Sequence, residues 1–87
     1  TPLMAAAYRG HAHLVPLLLA HGAQTNERDQ RDRSALWLAA EQGHVQVVQA
    51  LLHPSHDTDV NLPDRDGASA LHVALRRGHV EVVRALL

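Results

Sequence analysis

The same short pattern of residues occurs three times along this chain of 87 residues. Each copy opens with a hydroxyl residue two positions before a leucine, at Thr1, Ser34 and Ser69, so the first interval runs from position 1 to 34 and the second from 34 to 69. A glycine–histidine pair follows each opening at the same distance: Gly10-His11, Gly43-His44 and Gly78-His79. A repeat of roughly this length indicates an architecture in which one small unit stacks on copies of itself.

Each copy predicts a pair of short helices. In the second copy, Ser34 is a good N-cap because its hydroxyl can accept a hydrogen bond from a free backbone N–H of the first turn. Leu36, Ala39 and Ala40 then form one apolar stripe at i, i+3, i+4 spacing. Gly43 ends this helix, since glycine adopts the left-handed C-terminal cap with the least strain. Four aliphatic residues predict the buried face of a second helix: Val47, Val48, Leu51 and Leu52.

These helices are too short to persist alone, because isolated helices below ~12–15 residues are marginal in water. Packing between the copies must therefore hold them. We expect an all-α solenoid of stacked antiparallel helix pairs, forming a single segment over residues 1–87. Its repeats span about 1–33, 34–68 and 69–87, which makes about two and a half units.

Two polar stretches, 26–33 and 61–68, separate the helix pairs and contain turn residues but no apolar period. Asp66-Gly67 is typical of a turn. Asp32 stands at the position equivalent to Gly67, where a left-handed backbone is expected and aspartate is tolerated better than most residues. We expect both stretches to form β-hairpin loops that project from one edge of the stack.

Composition excludes several classes of function. The formal net charge of −1 gives no overall basic field for nucleic acid or membrane binding, and the absence of cysteine excludes disulfides and thiolate chemistry. The longest apolar run, 14–20, is interrupted by Pro16 and is far shorter than the ~20 residues of a spanning helix. Ser34 and Ser69 are interpreted as helix caps, so we expect no enzyme, no cofactor and no metal site. Because the chain opens on Thr1, we expect it to be cut from a longer one.

These residues resemble the ankyrin repeat pattern. Residues 1–26 (TPLMAAAYRGHAHLVPLLLAHGAQTN) carry its threonine-proline-leucine opening, double alanine, glycine–histidine pair and closing asparagine, and residues 64–87 keep Leu71-His72 and the glycine–histidine pair. The resemblance implies a stack, L-shaped in section, whose hairpin tips and first helices line a concave groove that binds other proteins. It also implies flanking ankyrin repeats in the parent chain and an intracellular location, in cytoplasm or nucleus.

The sequence departs from the family pattern at three places. Met4 and Trp37 replace the histidine present at His72, so the hydrogen bond expected of that histidine is missing from the first two copies. Pro16 lies inside a second helix and is expected to kink or shorten it, because proline has no backbone N–H to donate. The loop 53–60 is two residues longer than its counterpart and is expected to bulge away from the hairpins.

The predicted partner-binding surface combines hairpin positions with first-helix positions that point away from the apolar stripes. Its residues are Tyr8, Arg9, Arg31, Arg33, Leu38, Glu41, Gln42, Arg65, Asp66, Arg76 and Arg77. Because arginine binds carboxylates through two parallel hydrogen bonds, we expect a protein or peptide partner that is acidic. The alternatives are a solvated rim of local ion pairs, a structural spacer without a partner of its own, and an autoregulatory segment of a larger multidomain protein.

Three further features need an interpretation. Trp37 is either an anchor in the groove or, as its alignment with His72 favours, a residue that braces the hairpin. The loop from His53 to Asp59 holds two histidines and two aspartates but meets no fixed ligand spacing, so it is interpreted as a polar loop and not as a metal site. The family resemblance implies hydroxylation at Asn61, an asparagine that closes a repeat.

Overall fold

The computed structural model describes all 87 residues and contains six helices in three antiparallel pairs. They are α1 (Pro2–Arg9), α2 (Leu14–Ala20), α3 (Ala35–Gln42), α4 (Val45–Leu51), α5 (Ala70–Arg77) and α6 (Val80–Leu86). The first helices lie side by side in the order α1, α3, α5, and the second helices follow in the order α2, α4, α6. The predicted all-α solenoid is confirmed. None of the helices has the length and apolar character needed to cross a bilayer.

The first helices begin and end where the sequence predicts. The hydroxyl of Ser34 accepts a hydrogen bond from the backbone N–H of Trp37 at 3.1 Å, and Thr1 and Ser69 cap α1 and α5 in the same way. Each of these helices ends at a glycine with a left-handed backbone: Gly10 (φ 79°), Gly43 (φ 76°) and Gly78 (φ 74°). The helix boundaries are therefore set locally by capping residues.

The hydrophobic core runs the length of the stack. Val47, Val48 and Leu51 of α4 have no exposed surface, which confirms three of the four residues predicted for the buried face of this helix. The fourth, Leu52, is the residue after α4 and is only partly buried. Alanines fill the space between the first helices, where Ala7 and Ala40 have no exposed surface. Such small side chains let the helices approach closely, so the core forms without phenylalanine.

The glycine–histidine pairs interlock adjacent repeats. The Nε2 atom of His44 lies 3.0 Å from the carbonyl oxygen of Tyr8 in the preceding repeat, and His79 makes the same bond to Glu41 at 2.8 Å. The His79 ring also lies against Gly43, where a Cβ atom would be 2.9 Å from Nδ1. Glycine is therefore required at Gly43 by its left-handed backbone and by the ring of the next repeat.

Pro16 does not shorten its helix, which corrects the prediction made from the sequence. Helix α2 has seven residues, as do α4 and α6. Pro16 is the third residue of α2, in the first turn, where no backbone N–H has a partner within the helix. Because it cannot donate to Ala12, the preceding turn is closed by tighter bonds, and Val15 donates to Ala12 at 3.2 Å.

The two stretches between repeats form compact turns. Asp29 and Arg33 close the first turn through a backbone hydrogen bond of 3.0 Å, and one isolated antiparallel bridge joins Arg28 to Ser34. Asp32 has a φ of 61°, which confirms its predicted left-handed conformation. The hairpins are thus shorter than the sequence suggested, since backbone pairing reaches no further than the residues that flank each tip. We call residues 29–33 tip 1 and residues 64–68 tip 2.

The lengthened loop between the second and third repeats packs on the loop before it. The side-chain amide of Asn26 donates to the carbonyl oxygen of Asp57 at 2.8 Å and accepts from the backbone N–H of Asp59 at 2.7 Å. Thr25 adds a bond to the same carbonyl. The asparagine that closes the first repeat therefore fixes the position of the longer loop.

Candidate protein-binding surface

The hairpin tips and first helices surround an open cavity of about 360 Å³. We call it the arginine cavity. Both tips and helices α3 and α5 contribute to it, and its lining residues are Arg31, Arg33, Trp37, Glu41, Asp64, Arg65, Asp66 and Arg76. Seven of these eight side chains carry charge, so the cavity is suited to a charged group.

An aspartate at the start of each tip fixes its shape. The Oδ1 atom of Asp29 accepts hydrogen bonds from the backbone N–H groups of Arg31 (2.9 Å) and Arg33 (2.8 Å). Asp64 does the same in tip 2, accepting from Asp66 and Ala68. These bonds fix the turn from which Arg31 projects, because two of its amides are held by one carboxylate.

The pKa of the Asp29 carboxyl is displaced by its surroundings. Burial acts to raise the pKa of its carboxyl, but hydrogen bonds from the backbone and side chain of Arg33, then from the backbone of Arg31, outweigh it. The net result is a pKa below the ordinary aspartate value. The carboxylate of Asp29 is therefore held in its charged form by the tip that it organises.

Arg33 forms a wall of the cavity. Its Nε atom donates to Oδ2 of Asp29 at 2.8 Å, and its guanidinium carbon lies 5.7 Å from the centre of the Trp37 ring. A guanidinium within about 6 Å of an indole face is attracted by the ring's quadrupole. Arg33 is thus already engaged on two sides, by a carboxylate and by an aromatic ring.

Trp37 is buried, with 5% of its surface exposed. Its contact with Arg33 agrees with the favoured interpretation that it braces the hairpin, yet it also lines the arginine cavity. Its indole Nε1–H has no hydrogen-bond partner. Since a buried donor without a partner costs about 1–3 kcal/mol of stability, this atom offers an unused hydrogen bond.

The remaining charges of the cavity are unevenly paired. Glu41 accepts from Arg77 at 3.2 Å, and Arg65 donates to the carbonyl oxygen of Gln30 in tip 1. Arg31 and Arg76 take part in none of the three ion pairs of the chain. The lining thus holds four arginines against three carboxylates, a net charge of +1. Three of the four guanidinium groups have no acidic partner, and of these only that of Arg65 is held by a backbone carbonyl.

Six of the predicted surface residues meet in the cavity: Arg31, Arg33, Glu41, Arg65, Asp66 and Arg76. Tyr8 and Arg9 are exposed on α1 and lie outside the cavity, as do Gln42 and Arg77. Trp37 and Asp64 also line the cavity but were not among the residues of the predicted surface. The sequence carried a signal for Trp37, because this residue replaces the histidine of the repeat pattern.

Leu38 was predicted to face the partner, and this prediction is wrong. Leu38 is 6% exposed and belongs to the core, and Val73, at the same place in α5, is fully buried. In α3 and α5, the preceding first helix of the stack packs against this position and covers it. Ala5, the equivalent residue of α1, is exposed because no helix lies there.

The loop after α4 places its polar residues on the outside. The rings of His53 and His56 are 5.9 Å apart, and His53 pairs with the hydroxyl of Ser55. No group of three or more histidine, aspartate and glutamate side chains comes close enough to hold a metal ion. Asn61 is exposed, and its hydroxylation stays a prediction.

Comparison with known proteins identifies the repeat. The profile of the family described as "Ankyrin repeats (3 copies)" matches residues 3–87. The chain belongs to the ankyrin repeat family. Ankyrin repeats are non-catalytic modules that generally mediate protein–protein interaction.

Several curated relatives share these ankyrin repeats. Human Ankyrin repeat domain-containing protein 63 is 48% identical over 68% of this chain and 17% of its own length. The E3 ubiquitin-protein ligase XBAT33 of Arabidopsis thaliana is 46% identical over 60% of this chain and 10% of its own length. The potassium channel AKT2/3 of the same plant is 42% identical over 61% of this chain and 7% of its own length. This chain therefore spans a small part of proteins with very different names.

Proposed function

We propose that this ankyrin segment binds an acidic segment of a partner protein on the surface formed by the hairpin tips and first helices. The single observation that carries the proposal is the arginine cavity, which has a net charge of +1 and three guanidinium groups without acidic partners, one of them, that of Arg65, bonded to a backbone carbonyl. Arg31 and Arg76 are the principal binding groups in this proposal. Arginine recognises carboxylates through paired hydrogen bonds, so an acidic partner supplies what these two side chains lack.

The other surface residues have lesser roles in the proposal. Arg77 is occupied by Glu41, and Arg33 by Asp29, so these two shape the surface instead of holding the partner. Tyr8, half exposed on α1, and its neighbour Arg9 extend the surface beyond the cavity. This assignment differs from a solvated rim of local ion pairs, in which every arginine would have an acidic neighbour.

A titration with the acidic peptide acetyl-(Glu)₆-amide tests the proposal. Trp37 is the chain's only tryptophan and lines the cavity, so its fluorescence reports occupancy directly. We expect a saturable change in emission whose midpoint rises with salt concentration, because surface charge attraction is screened. The double variant Arg31→Glu/Arg76→Glu should bind at least about ten-fold more weakly, since each charge-assisted bond contributes more than 1 kcal/mol.

Arg84→Glu is the matched control for the single reversals Arg31→Glu and Arg76→Glu, because each of the three lowers the net charge by the same amount. Arg84 lies on α6, is 73% exposed and pairs only with Glu81 at 3.4 Å, so its reversal changes net charge without touching the cavity. If Arg84→Glu weakens binding as much as either single reversal, attraction is a property of net charge and the cavity is not the site. If the wild-type chain does not bind the peptide, the structural-spacer or autoregulatory alternative takes its place.

A further inference from the structure

We infer that the arginine cavity receives one carboxylate side chain of the partner, a glutamate or aspartate, which accepts hydrogen bonds from the free guanidinium groups and from the indole Nε1–H of Trp37. This inference rests on the proposed function and narrows it from an acidic surface to a single acidic residue. The partner's binding group is thus specified by its negative charge and by the hydrogen bonds that it accepts.

The charge of the lining fits one negative charge and no more. Four arginines and three carboxylates line the cavity, a net charge of +1. A single carboxylate makes the occupied cavity neutral. A phosphate group carries about −1.5 to −2 charges at neutral pH and would leave an excess of negative charge beside Glu41, Asp64 and Asp66. The lining therefore favours a carboxylate over a phosphorylated side chain.

The indole of Trp37 provides a donor that no group of the chain uses. Trp37 lines the cavity and has only 5% of its surface exposed, and its Nε1–H has no hydrogen-bond partner. The third repeat has His72 at this position, and the Nδ1 atom of that histidine accepts a backbone hydrogen bond from Ser69 at 3.1 Å. The replacement of histidine by tryptophan thus exchanges a capping acceptor for a free donor.

Entry of the carboxylate requires a small rearrangement of the cavity wall. The Nε1 atom has almost no exposed surface in the unliganded chain. Arg33 lies over the Trp37 ring, and its side chain is 29% exposed. Because the Arg33 side chain is partly exposed, it is the one placed to move, and the entering carboxylate offers it a second acidic partner.

The experiment follows the indole N–H directly by ¹⁵N–¹H correlation spectroscopy of the labelled protein. A single tryptophan gives a single indole cross-peak. The probes are acetyl-Gly-Gly-Glu-Gly-Gly-amide, the same peptide with glutamine or phosphoserine at the centre, and acetyl-Gly₅ with a free C-terminal carboxylate. We expect the glutamate peptide to move the indole proton downfield in a saturable way and the glutamine peptide to leave it in place. Phosphoserine and the free C-terminus should bind several-fold more weakly than glutamate.

Two variants accompany the titration. Trp37→Phe keeps a ring under Arg33 but removes the donor, and should weaken binding of the glutamate peptide about ten-fold when followed through backbone amide shifts. Arg31→Gln changes an exposed residue that carries no core contact, and should weaken binding by a similar factor even if Trp37→Phe fails to fold. Arg84→Gln should have no effect.

The outcomes separate the inference from the proposed function. If the amide peaks of Arg31 and Arg76 shift with the glutamate peptide while the indole peak stays in place, the acidic surface stands and the role of Trp37 is overturned. Tighter binding of the phosphoserine peptide overturns the preference for one negative charge, and equal binding of the free C-terminus overturns the assignment to a side chain. If neither hexaglutamate nor any of these peptides shifts a peak, both the proposed acidic partner and the inferred carboxylate site are wrong.

Discussion

The second and third repeats place equivalent residues in different environments. Ala40 and Leu75 are equivalent residues, each three positions before the glycine that ends its helix. Ala40 is fully buried against the next helix, whereas Leu75 is 58% exposed. Leu51 is fully buried, and its counterpart Leu86 is half-buried. The difference shows that burial in this fold is decided by whether a neighbouring repeat lies on each side, and much less by the residue itself.

The same two repeats also differ where the binding surface is formed. Arg33 directly precedes the second repeat and Trp37 lies within it, whereas Ala68 and His72 hold the equivalent positions at the third repeat. Both keep the serine cap, the glycine at the helix end and the histidine of the interlock. Residues that hold the stack together are therefore shared between the copies, whereas the residues that form the arginine cavity, apart from Asp64, differ between them.

The largest expected effect comes from truncating the buried leucine of the second repeat. Leu51→Ala should lower the free energy of unfolding by about 2–5 kcal/mol, because the removed methyl groups leave a cavity in a closely packed core. Leu75→Ala should change it by less than about 0.5 kcal/mol, as expected for an exposed side chain. Urea unfolding followed by circular dichroism measures both.

This pair of variants also tests the interpretation of the two repeats. Both changes replace leucine by alanine on a helix, so helix propensity alters each of them by a similar small amount. Equal losses of stability in the two variants would contradict the claim that neighbouring repeats decide burial. They would mean that the third repeat is covered in solution.

The parts of the fold that depend on nearby residues could be predicted from the sequence. Ser34 caps its helix and Gly43 ends it through bonds made within one turn, so the residue type alone is informative. The prediction for Leu38 failed because a helix between two neighbours has two buried faces, and one apolar stripe describes only one of them. Pro16 was misjudged because its effect depends on its place within the first turn.

The arginine cavity was predictable only in part. The sequence indicated that Arg31, Arg65 and Arg76 share one side of the stack, since the repeat fixes that side. It could not indicate which arginines are neutralised by acidic neighbours, because the pairing of Arg77 with Glu41 joins side chains from different repeats. Likewise, the free indole donor of Trp37 is visible only once its surroundings are known.

A smaller effect is expected from alanine at the helix-ending glycines. Gly78→Ala should cost about 1–2 kcal/mol through its left-handed backbone (φ 74°), since a Cβ atom there meets nothing within 4 Å. Gly43→Ala should cost at least about 1 kcal/mol more, because its Cβ would lie 2.9 Å from the ring of His79. That ring is held by its bond to Glu41 and cannot move freely. Thermal and urea unfolding of the two variants give the difference, and a Gly43→Ala variant no less stable than Gly78→Ala would disprove the interlock.

The smallest expected effect compares the two tips through pH. The pKa of Asp29 is lowered in the folded chain, so its contribution to stability is present above the unfolded value of about 3.9 and is lost as pH falls through the folded value. Asp29→Asn should therefore lower stability at pH 7 by less than about 1 kcal/mol, and the variant and wild-type unfolding curves should converge between about pH 5 and pH 2. Asp64→Asn is the control, because Asp64 accepts from the two equivalent backbone amides of tip 2 but has no ion pair to lose. A loss at pH 7 that is as large for Asp64→Asn would show that turn geometry, and not the charge of Asp29 beside Arg33, stabilises tip 1.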